Sequence, residues 1–336
     1  MTFPRSGRSR RARVVAACAL AVTLAACTAT PEPDPAPPAT TPTPPPVPIV
    51  SPLTGLEVDV LPDHPVFVVK IDNTAPAAPQ QGLDRADLVV EEMVEGGVTR
   101  LAALYHSDLP EKVGAVRSAR ATDIGIASPV DAKLVASGGA RVTLRRIGDA
   151  GIQLFSHDRG DDGFWRGKEK RAPYNVFVDL TKVAAQAKES GEIEPYLTWA
   201  DADTPASTST TTVNSASVRF SPMHTTQWSF VSDVWKRSNG RAGEKEFAAK
   251  NLVVVFADET DAGYRDPSGA PVPETKFDGS GRAVVFLGDQ VIDGTWRKDG
   301  ADAQLTLLDD AGAPIVLEPG KIWIELVSKS RGSIDY

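Results

Sequence analysis

Cysteine is almost absent: two occur in 336 residues, at 18 and 27. A disulfide framework is excluded, and so is thiol chemistry in the body of the chain. The four His, at 64, 106, 157 and 224, are scattered with no HxxxH or carboxylate–His spacing, so no metal-ligand motif is present. A G-x-S-x-G elbow, a P-loop and a strand-following G-x-G-x-x-G are missing as well, and no nucleotide or other cofactor is expected. No apolar run of about 20 residues follows the first segment, so no later spanning helix is expected. Core material is ample, with 41% apolar residues, six Trp and eleven Phe, and the length favours two domains.

The first fifty residues carry an address. Arg5, Arg8, Arg10, Arg11 and Arg13 form a basic segment, and residues 14–26 form a short apolar one ending in Leu24-Ala25-Ala26-Cys27. Small residues before a Cys let a signal peptidase close on the chain, and the thiol then receives diacylglycerol. This order predicts a lipoprotein signal over 1–26, with Cys27 as the lipidated first residue of the mature protein on the extracytoplasmic face of a bacterial membrane. Cys18 leaves with the signal. Its removal takes five Arg and no acid, moving the formal net charge from −8 to −13. So acidic a body is repelled by phosphodiester backbones and anionic headgroups, which argues against a nucleic-acid partner. Residues 27–52 then read as a tether, because eleven of residues 28–52 are Pro and such a stretch stays extended.

Beyond the tether, composition predicts an α/β (α+β) domain over 53–200, a linker over 201–213, a mostly-β domain over 214–328 and a tail over 329–336. In the first block a buried strand is expected over 65–71, and helices over 121–128 and 180–189; a hairpin is expected over 86–106 about Gly96-Gly97, with a helix competing for its first arm because Leu83, Ala86, Val89, Val90 and Met93 also fit a 3.6-residue period. The linker is a run of Thr, Ser, Ala and Asp with nothing to anchor a core. In the second block, strands are expected over 228–235, 251–256, 282–286, 290–296, 304–308 and 322–327.

The most suggestive chemistry lies in Gly114-Ala115-Val116-Arg117-Ser118-Ala119-Arg120. Two guanidiniums three residues apart, beside a hydroxyl and small side chains, can clamp phosphate or carboxylate, and Arg100 after the Gly pair can join them. Pairing with Asp72, Asp84, Asp87, Glu91 or Glu95 is the competing reading. Glu91 and Glu95, four apart, can share a face and act as an acid–base pair, or simply hold Arg. Asp158, Asp161 and Asp162 surround glycines as a polar turn would, without EF-hand spacing. Ser118 and Ser137 are the exposed-nucleophile candidates. Trp228, Trp235 and Trp296 form either a sugar platform or core.

The run Val66-Phe67-Val68-Val69-Lys70-Ile71-Asp72-Asn73 resembles the YerB-like family of bacterial lipoproteins. So do Pro79-Gln80-Gln81-Gly82-Leu83-Asp84-Arg85-Ala86-Asp87, Glu95-Gly96-Gly97-Val98-Thr99-Arg100 and Val116-Arg117-Ser118-Ala119-Arg120. Ala172-Pro173-Tyr174-Asn175, Gly294-Thr295-Trp296 and Pro319-Gly320-Lys321-Ile322-Trp323-Ile324 extend the likeness over nearly all of the mature chain. The resemblance implies two family domains, N- and C-terminal, and supplies no mechanism. Tyr174 stands where the family usually has His, so no general base is carried over to that position.

Two functions follow as expectations. One is a non-catalytic envelope lipoprotein that binds an anionic envelope ligand or a protein partner through Arg100, Arg117, Ser118 and Arg120, with Asp72, Asn73, Glu91 and Glu95 around them. The other is an envelope transferase or hydrolase acting on a phosphorylated lipid-linked glycan, with Glu91 or Asp72 as acid, base or metal ligand. Its Arg-and-acid grouping is loosely similar to that of LytR-type ligases, without matching motifs.

Overall fold

Leu88-Val89-Val90 and Ile322-Trp323-Ile324 are apolar without alternation, as strands buried on both faces must be. In the computed structural model these two runs lie side by side, in parallel, with Ile322 opposite Leu88 and Leu326 opposite Glu92. The structure describes residues 48–188 and 191–336. The signal, Cys27, most of the tether and the end of the helix expected over 180–189 lie outside the described residues.

The first block contributes β1 (Phe67–Asp72), β2 (Leu88–Met93), β3 (Thr99–Tyr105), β4 (Val113–Gly114), β5 (Lys133–Ala136), β6 (Leu154–Ser156), β7 (Phe164–Arg166) and β8 (Val176–Val178). Its helices are α1 (Asp123–Ala127), α2 (Arg141–Asp149) and α3 (Leu180–Ala184). The second block contributes β9 (Ser215–Ser221), β10 (His224–Val231), β11 (Val234–Arg237), β12 (Asn251–Ala257), β13 (Glu259–Arg265), β14 (Pro271–Thr275), β15 (Gly279–Leu287), β16 (Gln290–Lys298), β17 (Thr306–Asp309), β18 (Ile322–Ser328) and β19 (Ser333–Asp335).

A ten-stranded sheet runs β17-β16-β15-β12-β18-β2-β3-β1-β5-β6, five strands from each block. The seam between the blocks is the parallel pair β18–β2. A second sheet, β11-β10-β9-β19, packs over one face of the seam: Val218, Phe220, Trp228 and Trp235 share a core with Val69, Val89, Leu101, Trp323 and Val254. On the other face, Val68, Leu88, Val90 and Leu104 pack with Ile126 and Ile147 of the helices and with Val253, Val285 and Ile324. Both cores therefore contain residues of both blocks.

The chain is mostly sheet with few helices. The α character expected of 53–200 shrinks to short segments for local reasons. The run over 121–128 gives only α1, because Pro129 cannot continue an α-helix and a single 3₁₀ turn follows at Ser128–Val130. Asp179 caps α3, its Oδ1 accepting from the Thr181 and Lys182 amides. The hairpin forms as β2–β3, with Gly96 and Gly97 both at positive φ, 76° and 71°.

Residues 228–235, expected as one strand, contain a hairpin instead. Ser232 and Asp233 adopt φ of 52° and 64°, the two positive values of a type I′ turn, without the Gly that usually marks one. The 201–213 segment is largely exposed but bonded along its length. Ser207 N donates to Val316 O at 2.9 Å, and Val213 N donates to Asp289 O at 2.7 Å. Residues 329–336 are not a free tail, since β19 pairs with β9.

Residues 48–200 expressed alone would leave the β2 edge unpaired and remove Trp228 and Trp323 from the core. That fragment is expected to show no cooperative melt, whereas the whole body melts in a single calorimetric transition. Two separate transitions, or a folded fragment, would contradict the shared sheet.

Candidate functional site

Alternation along β1, β2 and β3 divides the predicted site residues between the two faces of the sheet. Val69, Ile71, Val89, Met93 and Leu101 belong to the core under the second sheet, and Glu91 and Thr99 share their phase. Val68, Leu88, Val90 and Ala102 belong to the opposite core, in phase with Lys70, Asp72, Glu92 and Arg100.

The Arg cluster forms on the second of these faces. Arg100 NH2 donates to Glu95 Oε1 at 3.0 Å, and Arg120 Nε donates to Glu95 Oε2 at 2.9 Å, with a further short contact from Arg120 NH2 to Oε1. Arg100 NH1 also donates to Ser118 O at 2.8 Å, and Arg120 NH1 to Ala119 O at 2.8 Å. Arg117 NH1 donates to Asp72 Oδ2 at 2.7 Å and lies 5.3 Å from the Tyr174 ring centroid. The Arg100 and Arg120 side chains are only 6% and 8% exposed. Burial and the neighbouring Arg120 charge push the Arg100 guanidinium down to about 10. Burial pushes the Glu95 carboxyl up, but its two Arg partners outweigh that and hold it below its ordinary value.

All three guanidiniums thus already grip carboxylates of the protein, and the expected open clamp is closed. Ser118 contributes its carbonyl, and its hydroxyl meets only that of Ser137, at 3.5 Å, with no base beside it. The expected Glu91–Glu95 pair does not form either. Glu91 points from the strand into one face, while Glu95 lies in the turn beyond it and bonds to Arg side chains of the other.

Glu91 and Asn73 instead join residues of the second block. Asn73 Nδ2 and Thr99 Oγ1 donate to Glu91 Oε1 at 2.9 and 2.7 Å, and His224 Nε2 lies 2.7 Å from the same oxygen. Thr226 Oγ1 donates to Glu91 as well, 3.1 Å from each oxygen. Burial pushes the Glu91 carboxyl up, but His224 and then Arg237 outweigh it, leaving the group below its ordinary value. Glu325, opposite Glu91 across the seam, goes the other way. Burial and the Glu91 charge raise it well above its ordinary value, and Trp228 Nε1 donates to its Oε1 at 2.6 Å.

Arg237 closes the inner wall. Its Nε donates to Glu246 Oε1 at 2.8 Å and its NH1 to Asn73 Oδ1 at 3.0 Å, and its guanidinium lies 4.5 Å from the Trp323 ring centroid. Arg241 Nε donates to Asn73 O at 3.0 Å, and no carboxylate of the described residues forms an ion pair with it. Between them lies a cavity of about 150 Å³ lined by Asn73, His224, Thr226, Arg237, Asn239 and Arg241, among others. Both blocks build it. A positively biased, polar recess backed by buried charges can take a phosphate or carboxylate, and the Glu91–His224 pair can hold or pass a proton there. Sequence spacing did not single out His224, Arg237 or Arg241, because only the seam brings them to Asn73 and Glu91.

The remaining candidates are structural. Trp228, Trp235 and Trp296 are all buried, which removes the sugar platform. Asp161 Oδ2 accepts from Ser156 N, and Asp162 Oδ1 accepts from Gly163 N, as polar-turn residues do. Among the described residues no group of three His, Cys, Asp or Glu is placed to hold a metal ion.

A sheet shared equally by two blocks, with the buried carboxyls of Glu91 and Glu325 opposite each other across the seam, defines a two-part, mostly-sheet protein whose halves form a single body. Residues 53–193 match the N-terminal domain and residues 213–324 the C-terminal domain of DUF3048, described as a protein of unknown function, and the chain belongs to this family. It is 27% identical over 296 residues to the protein named "Putative lipoprotein YerB" of Bacillus subtilis (strain 168), covering 82% of this chain and 86% of that one. The crystal structure of YerB protein from Bacillus subtilis has the same fold, with a TM-score of 0.71 at 23% identity, covering 86% of this chain and all of that one.

Proposed function

We propose that this chain is a lipoprotein anchored through Cys27 on the extracytoplasmic face of the membrane, and that its body is a non-catalytic binding module for an anionic group of an envelope ligand. The two expected domains divide the labour: 53–200 supplies Asn73 and Glu91, and 214–328 supplies His224, Arg237 and Arg241. The observation that carries this reading is the contrast between the two sets of Arg residues. Arg100, Arg117 and Arg120 each bond to a carboxylate of the protein, the first and last sharing Glu95 and Arg117 holding Asp72, while Arg241 faces a polar recess without a carboxylate partner among the described residues. The test is a thermal-shift titration of the mature protein with inorganic phosphate, pyrophosphate and muropeptides. A ligand at about 100 times its Kd raises native stability by about 2.7 kcal/mol. Arg241→Ala is expected to abolish the shift while changing the unliganded melt little, and Arg117→Ala to preserve it. The reverse pattern would return the anion to the first cluster, and no shift with any anion would leave a protein partner.

A second reading rests on the Glu91–His224 pair, which would act as a general base at the same recess in a transferase or hydrolase acting on a phosphorylated lipid-linked glycan. Phosphate release that is lost in His224→Asn, with binding retained, would establish it.

A further inference from the structure

Among the described residues ten large hydrophobic side chains are exposed, and five of them fall within residues 49–61: Ile49, Val50, Leu56, Val60 and Leu61. They are close in space as well as in sequence. Val50 bridges to Glu57, Ser51 N donates to Leu56 O at 2.8 Å, and Val58 N donates to Ile49 O at 2.9 Å, which folds residues 49–58 back on themselves. Ile49, Val50 and Leu61, with Pro52, Ile193 and Pro195, also border an open cavity of about 560 Å³. Clustered exposed aliphatics of this kind mark a surface that something covers.

The position of the patch indicates what covers it. It begins where the Pro-rich segment ends, at Ile49, 22 residues after the lipidated Cys27. We propose that this face rests on the lipid bilayer, its aliphatic side chains entering the headgroup region beside the anchor. This rests on the reading of Cys27 as the lipid attachment point. A stretch of 22 residues spans at most about 75 Å, so the lipid keeps the patch close to the bilayer. Tethering makes the encounter intramolecular, at an effective concentration of about a millimolar, so a face too weak to hold a vesicle unaided still docks. A second contact of this kind strengthens an acyl anchor.

Charge sets the kind of surface. Residues 48–69 contain no Lys or Arg, while Glu57, Asp59, Asp63, Glu192 and Glu194 are exposed around the patch. Docking is therefore apolar, is strongest on zwitterionic lipid, and weakens as anionic lipid is added.

The test uses the full lipidated protein in phosphatidylcholine vesicles. Removal of the signal and acylation of Cys27 leave no other thiol, so Val60→Cys and Met223→Cys each accept one environment-sensitive fluorophore. Both parent side chains are 74% exposed, which makes the second a matched control. The expected result is a blue-shifted probe at 60, quenched by nitroxide-bearing lipids, with the probe at 223 in water; phosphatidylglycerol reduces the quenching. A probe at 60 as wet as that at 223, or equal quenching at both, overturns the proposal. Shielding at 60 that grows with protein density without nitroxide quenching assigns the face to a second copy and also overturns it. The mass of the mature chain separates this from failure of the anchor, since an unmodified Cys27 refutes the anchor and the assignment of this face to the bilayer with it.

Discussion

Glu95→Gln is expected to lower the unfolding free energy by about 3–5 kcal/mol at neutral pH, because it leaves two nearly buried guanidiniums without their shared carboxylate. Arg100 and Arg120 both bond to Glu95, and burial denies them water as a replacement. The pH dependence distinguishes this from a packing defect. The folded-state value of Glu95 lies below its ordinary 4.5, so its contribution is present above 4.5 and is lost as pH falls through the lower folded value. The gap between wild type and variant, measured by urea unfolding, is therefore widest at neutral pH and closes on acidification. A gap that stayed constant with pH would mean that Glu95 acts through shape rather than charge. A gap that closes on acidification would explain why Arg100 and Arg120 do not form an open clamp.

Lys70→Met is expected to cost a similar amount, about 3–5 kcal/mol, for the opposite charge. Lys70 is fully buried and pairs with two buried carboxylates, Glu92 through a short contact and Asp123 at 2.6 Å. Burial raises Glu92 to about 7, against the pull of Lys70 and with a push from Asp123. Near neutrality the Glu92 carboxyl beside Lys70 is close to its own midpoint. Since the folded value of Glu92 lies above the unfolded 4.5, its favourable contribution is complete below 4.5 and is lost as pH rises through about 7. Glu92→Gln, which keeps that side chain neutral, should therefore gain on wild type as pH is raised across this window. Lys70→Met should lose ground as pH is raised, because without the ammonium burial holds the Glu92 carboxyl higher still, so its ionisation in the unfolded chain is opposed over a wider span of pH in the folded one. Unfolding midpoints across the window check both slopes, and a Lys70→Met cost independent of pH would refute this account of Glu92.

Local chemistry made some elements legible and long-range pairing concealed others. The β2–β3 hairpin was readable because a Gly pair sits between two β-branched runs, and 251–256 and 322–327 were readable as apolar strands. The Trp228–Trp235 hairpin was not, because its turn uses Ser232 and Asp233 where Gly or Asn would have signalled it. β9 was missed although Ala216, Val218 and Phe220 alternate with polar residues as a half-buried strand requires, because the run is short and rich in Ser. Helix α2 was missed because its Arg-rich sequence buries only Thr143 and Ile147. At the site, Asn73 and Glu91 were identified as bearing chemistry, but their partners were not. Glu91 meets His224 and Glu325 only after β18 has paired with β2, and no local pattern records a parallel pairing across more than two hundred residues. The spacing of Glu91 and Glu95 suggested a shared face, but the strand ends between them and the turn carries Glu95 to the other side.

The seam also sets the order in which the chain can be completed. β2 precedes its parallel partner β18 by more than two hundred residues, so the growing chain carries an apolar, unpaired strand edge while all of those residues are added. Closing that edge is a late, high-contact-order step, slow compared with the formation of the β2–β3 hairpin. Until then β2 is a template for any other extended chain, and the interval before residues 322–328 dock is when this protein is most exposed to misassembly and proteolysis.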